Sequence, residues 1–159
     1  MPLTELLTHF SIRSAALILV NNLNKIQRFM SFLAKLELDG ETYNVLDCTY
    51  GFEQSVDRNN KPSGTPRGGQ ITLIIESRGS TNFLKWMVDH KQTKDGTITF
   101  FKRDAMSRML ALKFSKAFCI RYTEHFNAQT ITPMQMHLTI SAKKIEIEGV
   151  TFENTWNAE

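Results

Sequence analysis

From Met30 to the C-terminus, apolar and polar residues alternate with a period of two, which commits the chain to strands that bury one face and leave the other in water. Phe32, Ala34, Leu36 and Leu38 alternate with Leu33, Lys35, Glu37 and Asp39, and Asp39-Gly40 then supplies the positive-φ pair of a tight hairpin. A second strand is expected from Thr42 to Val56, with Gly51 as a bulge or bend. Ile71, Leu73 and Ile75 form one face of a third. Asp95-Gly96 reads as a turn into a strand over Thr97–Arg103.

Two long strands follow. In the first, Phe114, Phe118, Ile120 and Tyr122 are expected to face one way, with Ser115, Cys119, Arg121 and Thr123 facing the other. In the second, Met134, Met136, Leu138, Ile140 and Ala142 share a face, after which the apolar phase moves to Ile145 and Ile147. A period of two changes phase only at an irregularity, which places a bulge near Lys143-Lys144. Glu148-Gly149 turns the chain into a last short strand containing Val150 and Phe152.

Helical spacing interrupts this pattern once. After Gly79, Ser80 or Thr81 can cap a helix of about three turns, and Phe83, Trp86, Met87 and His90 follow at i, i+3, i+4 and i+7. Parallel βαβ units need a helix between most strands, and this chain offers one helix. The expected class is therefore mainly β: an antiparallel β-barrel or sandwich with one flanking α-helix. At 159 residues, 42% of them hydrophobic, such a domain buries a core without metals or disulfides.

Residues 1–29 read differently. Leu3, Leu6, Leu7 and Phe10 have helical spacing, and Arg13, Lys25 and Arg28 outnumber Glu5. Three readings stay open: an upstream stretch preceding a true start at Met30, a helical arm that docks on a neighbour, or a targeting segment. The longest apolar run, Ala15–Val20, is far shorter than the ~20 residues of a membrane span, and no small-x-small cleavage site follows it. Residues 30–159 form the expected domain.

The segment Asp57–Gln70 is neither strand, helix nor tight turn. It carries three glycines, two prolines and the cations Arg58, Lys61 and Arg67. Loops of this length inside compact domains are uncommon and are often functional or disordered. Flanked by long strands, it is expected to project from the body and to reach another subunit.

A search for chemistry finds little. His9, His90, His125 and His137 have no metal-ligand spacing, and there is no CxxC motif, no G-x-S-x-G elbow and no phosphate loop. Cys119 and His125 lie six residues apart, roughly 20 Å along one strand, too far for a nucleophile and its base. A formal charge of +3 is too small for nucleic-acid binding, and no cofactor or metal is expected. Arg103, Arg108, Lys113 and Lys116 surround Asp104–Ser107, either as a charged strand edge or as a subunit interface.

Several segments taken together carry a family likeness. They are Ser31–Leu36 with Asp39-Gly40, Tyr43–Leu46, Pro62–Gly69, Phe83–Met87, Asp95–Phe101, Arg103–Arg108, Tyr122–Phe126 and Met134–Lys143. In their order and spacing the chain from Met30 to about Trp156 resembles the tube protein of type VI secretion systems, the haemolysin-coregulated protein, in its Bacteroidetes form. The resemblance implies a β-barrel with a flanking helix that closes hexameric rings, stacks them into a hollow tube, and is expelled with a spike by a contractile sheath. It implies partners: other copies of the chain, sheath, spike and baseplate proteins, and effectors carried in the lumen. It implies no catalytic residues and a path from cytoplasm to exterior without a cleaved signal or membrane insertion. The family's extended loop after its second strand helps rings touch, which assigns contacts between rings to Arg58, Asn59, Lys61, Pro62, Pro66 and Arg67. Arg103, Asp104 and Arg108 are weaker interface candidates. Residues 1–29 have no counterpart in the family pattern. The alternative is a monomeric barrel binding a small ligand or glycan in a concavity lined by Trp86, Phe101 or Tyr122.

Overall fold

The computed structural model describes residues 33–102, 107–129 and 134–156. In chain order the elements are β1 (Leu33–Leu38), β2 (Glu41–Tyr50), β3 (Gln70–Glu76), α1 (Asn82–Val88), β4 (Lys94–Phe101), β5 (Arg108–His125), β6 (Gln135–Ile147) and β7 (Val150–Glu153). Every pairing is antiparallel, in the order β3-β2-β1-β4-β5-β6-β7, and an additional β3–β6 pairing closes six of the strands into a barrel. Closure removes most of the open sheet edge that a flat sheet of these strands would expose.

The alternation of the sequence is what fills this barrel. Leu36 and Leu38 from β1, Ile71, Leu73 and Ile75 from β3, and Met136, Leu138, Ile140 and Ala142 from β6 all point inward and are buried. No polar or charged side chain is buried among the described residues, so the core is held by apolar packing alone. Asp39 (φ 52) and Gly40 (φ 80) form the two-residue turn joining β1 to β2, with the left-handed backbone that Asp-Gly tolerates. Glu148 and Gly149 repeat the device between β6 and β7.

β6 organises the closure. One edge pairs with β5 along nearly its whole length; the other is shared, with Gln135–Ser141 bonded to β3 and Lys144–Ile147 bonded to β7. The expected phase change is present, since Ala142 and Ile145 are both buried, but the bulge expected near Lys143-Lys144 is not: the pairing with β5 passes from Ser115↔Lys144 to Ala117↔Ala142 without a shift of register.

Four further expectations need correction. First, β2 ends at Tyr50 and does not run to Val56; its irregularity lies between Val45 and Asp47, not at Gly51. Second, Asp95-Gly96 is not a turn but a bulge within β4, where the register to β5 shifts between Lys94 and Gly96. The bulge brings the backbone so close to the core that a Cβ on Gly96 would lie 2.4 Å from Phe114 Cζ. Third, β5 changes phase. Lys116 adopts φ 50, its N–H donates to Asp95 Oδ1 at 2.7 Å, and inward positions move from Leu112 and Phe114 to Ala117 and Cys119. Phe118 and Ile120 therefore face outward, Ile120 exposed and Phe118 against Trp156. Fourth, α1 is shorter than expected and His90 lies beyond it, exposed.

Within α1, Phe83 and Trp86 are buried as their spacing requires. Phe83 meets Tyr43 edge-on at 4.9 Å between centroids, and Trp86 Nε1 donates to the Gln92 carbonyl at 3.1 Å. Thr81 is the N-cap residue without a side-chain cap bond; Ser80 Oγ accepts from the Asn82 N–H instead, at 3.3 Å. The expectations for residues 1–29, for Phe32 and for Arg103–Met106 fall outside the described residues.

Candidate functional site

The feature that stands apart from the barrel is the segment between β2 and β3. It is longer than the loop expected from Asp57, because it begins at Gly51, and it is ordered as an arm. Glu53 and Arg67 exchange two backbone bonds at 2.9 and 2.7 Å, the Ser63 N–H donates to the Ser55 carbonyl at 2.7 Å, and the Asp57 N–H donates to the Lys61 carbonyl at 2.8 Å. The two sides of the arm thus continue the β2–β3 hairpin outward as a thin, irregular ladder.

The tip is built by Asp57. Its Oδ1 accepts from the N–H groups of Asn59 at 2.8 Å and Lys61 at 3.0 Å, a side chain taking the place of a backbone turn. Asn60 adopts φ 59 to complete it. Gln54 Nε2 ties the two sides together through the Gly64 carbonyl at 2.9 Å.

The six residues expected to make contacts between rings are all on this arm and all exposed. Arg58, Asn59, Lys61 and Pro62 gather at the tip, Pro62 facing Val56 across the ladder. Pro66 and Arg67 sit nearer the root, opposite Glu53. The sequence reading missed Phe52 and Val56, which it placed in a strand; both belong to the arm and are exposed, at 45% and 58%. An arm that displays cations together with bare apolar side chains is suited to burial against another surface.

The weaker candidates divide. Arg103 and Asp104 lie outside the described residues. Arg108 reaches Glu148 at 3.5 Å, and the other oxygen of that carboxylate accepts from the Ala111 N–H at 3.0 Å, so the Arg108 charge is partly committed within its own barrel. Apolar side chains are also exposed away from the arm, among them Leu46 on β2, Leu84 and Val88 on α1, and Ile120 on β5.

Trp86, Phe101 and Tyr122 line neither of the two depressions on the described surface. Trp86 is in the core and Tyr122 packs partly against it. An open depression on the outer face of β3, β5 and β6 is lined by polar side chains instead, including Thr72, Arg121, Thr123, His125 and His137. Among the described residues, no three His, Cys, Asp or Glu side chains come together as a metal site, and no helix is long and apolar enough to cross a membrane.

The titratable groups with shifted affinity are structural. Burial, then the hydrogen bond to Glu41, pushes the Tyr43 hydroxyl up to about 12. Burial, then the bond to Glu124, does the same for Tyr122, also to about 12. Burial and the neighbouring Asp47 charge raise the Cys48 thiol to about 12, and burial raises Cys119. Thiols held protonated in this way are poor nucleophiles and poor metal ligands.

Comparison with known proteins follows the same lines. The family model for the hemolysin coregulated protein, Hcp (TssD), matches residues 30–157. Hcp1 from Flavobacterium johnsoniae shares 37% sequence identity over 77% of this chain and 99% of its own, with a TM-score of 0.73. Hcp1 from Salmonella typhimurium is 12% identical over 77% of this chain and 92% of its own, at a TM-score of 0.60, a likeness of fold alone. Hcp1 from E. coli EAEC 042 is alike in the same sense, at 15% identity, 79% and 98% coverage and a TM-score of 0.59. A comparison with curated protein sequences finds no match. A closed barrel with one flanking helix and a long arm between its second and third strands, matched by the family model over most of the chain, makes this a member of the hemolysin coregulated protein family.

Proposed function

We propose that the chain is a subunit of the inner tube of a type VI secretion system. Six copies close a ring through head-to-tail contacts, and rings stack into a hollow tube. The observation that carries this reading is the Gly51–Gly69 arm. It is held in shape by its own ladder, it is exposed from Gly51 to Arg67, and it presents Arg58, Lys61 and Arg67 beside Phe52 and Val56. Among the described residues only Phe52 of these side chains packs on the barrel, against Phe152, and in this reading the others meet the next ring. Exposed apolar residues on β2, β5 and α1 supply surface for contacts within a ring.

In this reading the tube acts with a contractile sheath, a spike and a baseplate and carries effectors in its lumen. It moves from the cytoplasm to the exterior without a cleaved signal. The chain's work is assembly rather than catalysis. The functional domain is residues 30–159, and residues 1–29 are an addition to it.

Negative-stain microscopy of Met30–Glu159 tests the proposal. Uniform rings with an open centre are expected, together with stacks at high concentration. Replacing the tip, Asp57–Lys61, by two glycines is expected to leave rings intact and abolish stacks. A chain that stays monomeric at high concentration overturns the proposal.

A further inference from the structure

The arm meets the barrel at Gly68 and Gly69, and one side chain from the far end of the sequence lies across that root. Asn154 follows β7. Its Nδ2 donates to the Gly68 carbonyl at 3.2 Å and to the Ala142 carbonyl at 2.9 Å, so a single amide bridges the arm and β6. Beside it the Ala142 N–H donates to the Gly69 carbonyl at 2.7 Å, and the Asn154 N–H donates to the Lys143 carbonyl at 2.8 Å.

The fit around this amide is tight. Gly69 adopts φ 95, and a Cβ there would lie 2.2 Å from Asn154 Nδ2 and 2.8 Å from the Ala142 carbonyl oxygen. At Gly68 a Cβ would lie 2.3 Å from the ring of Phe52. Phe52 in turn packs on Phe152 of β7, with centroids 5.0 Å apart. The chain around β7 therefore holds both sides of the root, one through an amide and one through a ring.

Asn154 is not needed to hold its own segment in place. β7 is already paired with β6 from Lys144↔Glu153 to Ile147↔Val150, and beyond Asn154 the ring of Trp156 packs on Phe118 at 5.7 Å. What the amide adds is a link to the arm. A thin ladder keeps its own shape but swings at its root, and a small angular error there displaces the distant tip. We propose that Asn154 is the positioning residue that sets the angle at which the arm leaves the barrel, and that stacking of rings depends on it. This rests on the reading of the arm as the contact between rings.

The test compares the full chain with Asn154→Ala, Asn154→Asp and Asn154→Ser variants, and with the chain whose Asp57–Lys61 tip is replaced by two glycines. Single rings and stacks are counted by negative-stain microscopy and sedimentation velocity, alongside thermal unfolding. Asn154→Ala is expected to form rings, with a thermal midpoint lower by no more than a few degrees, while stacking weakens about tenfold, the scale of one or two lost hydrogen bonds that had preset a binding geometry. Asn154→Asp is expected to stack less still, because its carboxylate would face two carbonyl oxygens. Asn154→Ser, which keeps one donor, is expected to recover part of the loss. Should Asn154→Asp fail to fold, Asn154→Ala carries the comparison. Wild-type stacking by Asn154→Ala, with none by the tip-replaced chain, overturns the role of Asn154 and leaves the arm reading standing. Stacking by the tip-replaced chain overturns the arm reading itself. Loss of rings together with a lower midpoint in Asn154→Ala reduces the residue to a structural one and also overturns the proposal.

Discussion

Tyr43 and Tyr122 show how single side chains of this barrel answer to their surroundings. Both hydroxyls sit where burial disfavours the charged form and a neighbouring carboxylate, Glu41 or Glu124, disfavours it further. Each is raised from the ordinary value of 10.0 to about 12. The unfolded chain therefore releases these protons first as pH rises, and the folded state binds more protons across that window. Stability contributed by the two groups is present below pH 10 and is lost as pH rises toward 12. Ultraviolet absorbance of tyrosinate is expected to show titration of Tyr43 and Tyr122 well above that of a free tyrosine. A single step near the ordinary value for every tyrosine contradicts the assignment. The pairing itself is local, because Glu41 and Glu124 each lie two residues from their tyrosine and so share its strand face, but the burial that raises both hydroxyls most comes from other strands.

The elements were legible in proportion to how strictly they alternate. β3 carries unbroken inward positions and β6 does so as far as Ala142, and the sequence placed both; the phase change beyond Ala142 is real but comes without the expected bulge. β5 was misread because its two faces are both apolar around Phe118, Cys119 and Ile120, which hides the phase change at Lys116. Asp95-Gly96 was misread because an Asp-Gly pair signals a hairpin by composition, whereas here Asp95 caps the Lys116 backbone and Gly96 gives way to Phe114. That bulge makes its own prediction. Gly96→Ala would place a methyl group against Phe114 and the Glu37 carbonyl, and overpacking of this kind costs about 1–3 kcal/mol. Gly51→Ala, where nothing lies within 4 Å, is the control and is expected to shift stability by less than about 0.5 kcal/mol. Urea unfolding of the two variants checks both; equal midpoints would remove the explanation. The arm was recognised from its glycines, prolines and cations, but its apolar residues were not, since Phe52 and Val56 pass for strand positions. Asn154 had no local signal at all: its partner Gly68 is 86 residues away in sequence.

At the scale of the molecule, the barrel depends on β6, which is bonded along both edges for most of its length. Strands in the middle of a sheet open only with the whole fold, while edges and arms open locally. Hydrogen exchange is expected to be slowest in β6 and its partners in β3 and β5, at a rate set by global unfolding, and fastest in the arm and β7. Exchange in β6 no slower than in β7 would refute this. The arm adds a mechanical consequence. It is continuous with β2 and β3, and those strands are bonded to β1 and β6, so a load on its tip enters the barrel through two strands at once. Each of the two is anchored on its far side by a neighbour as well as to its partner, so the load is spread over four strands of the barrel.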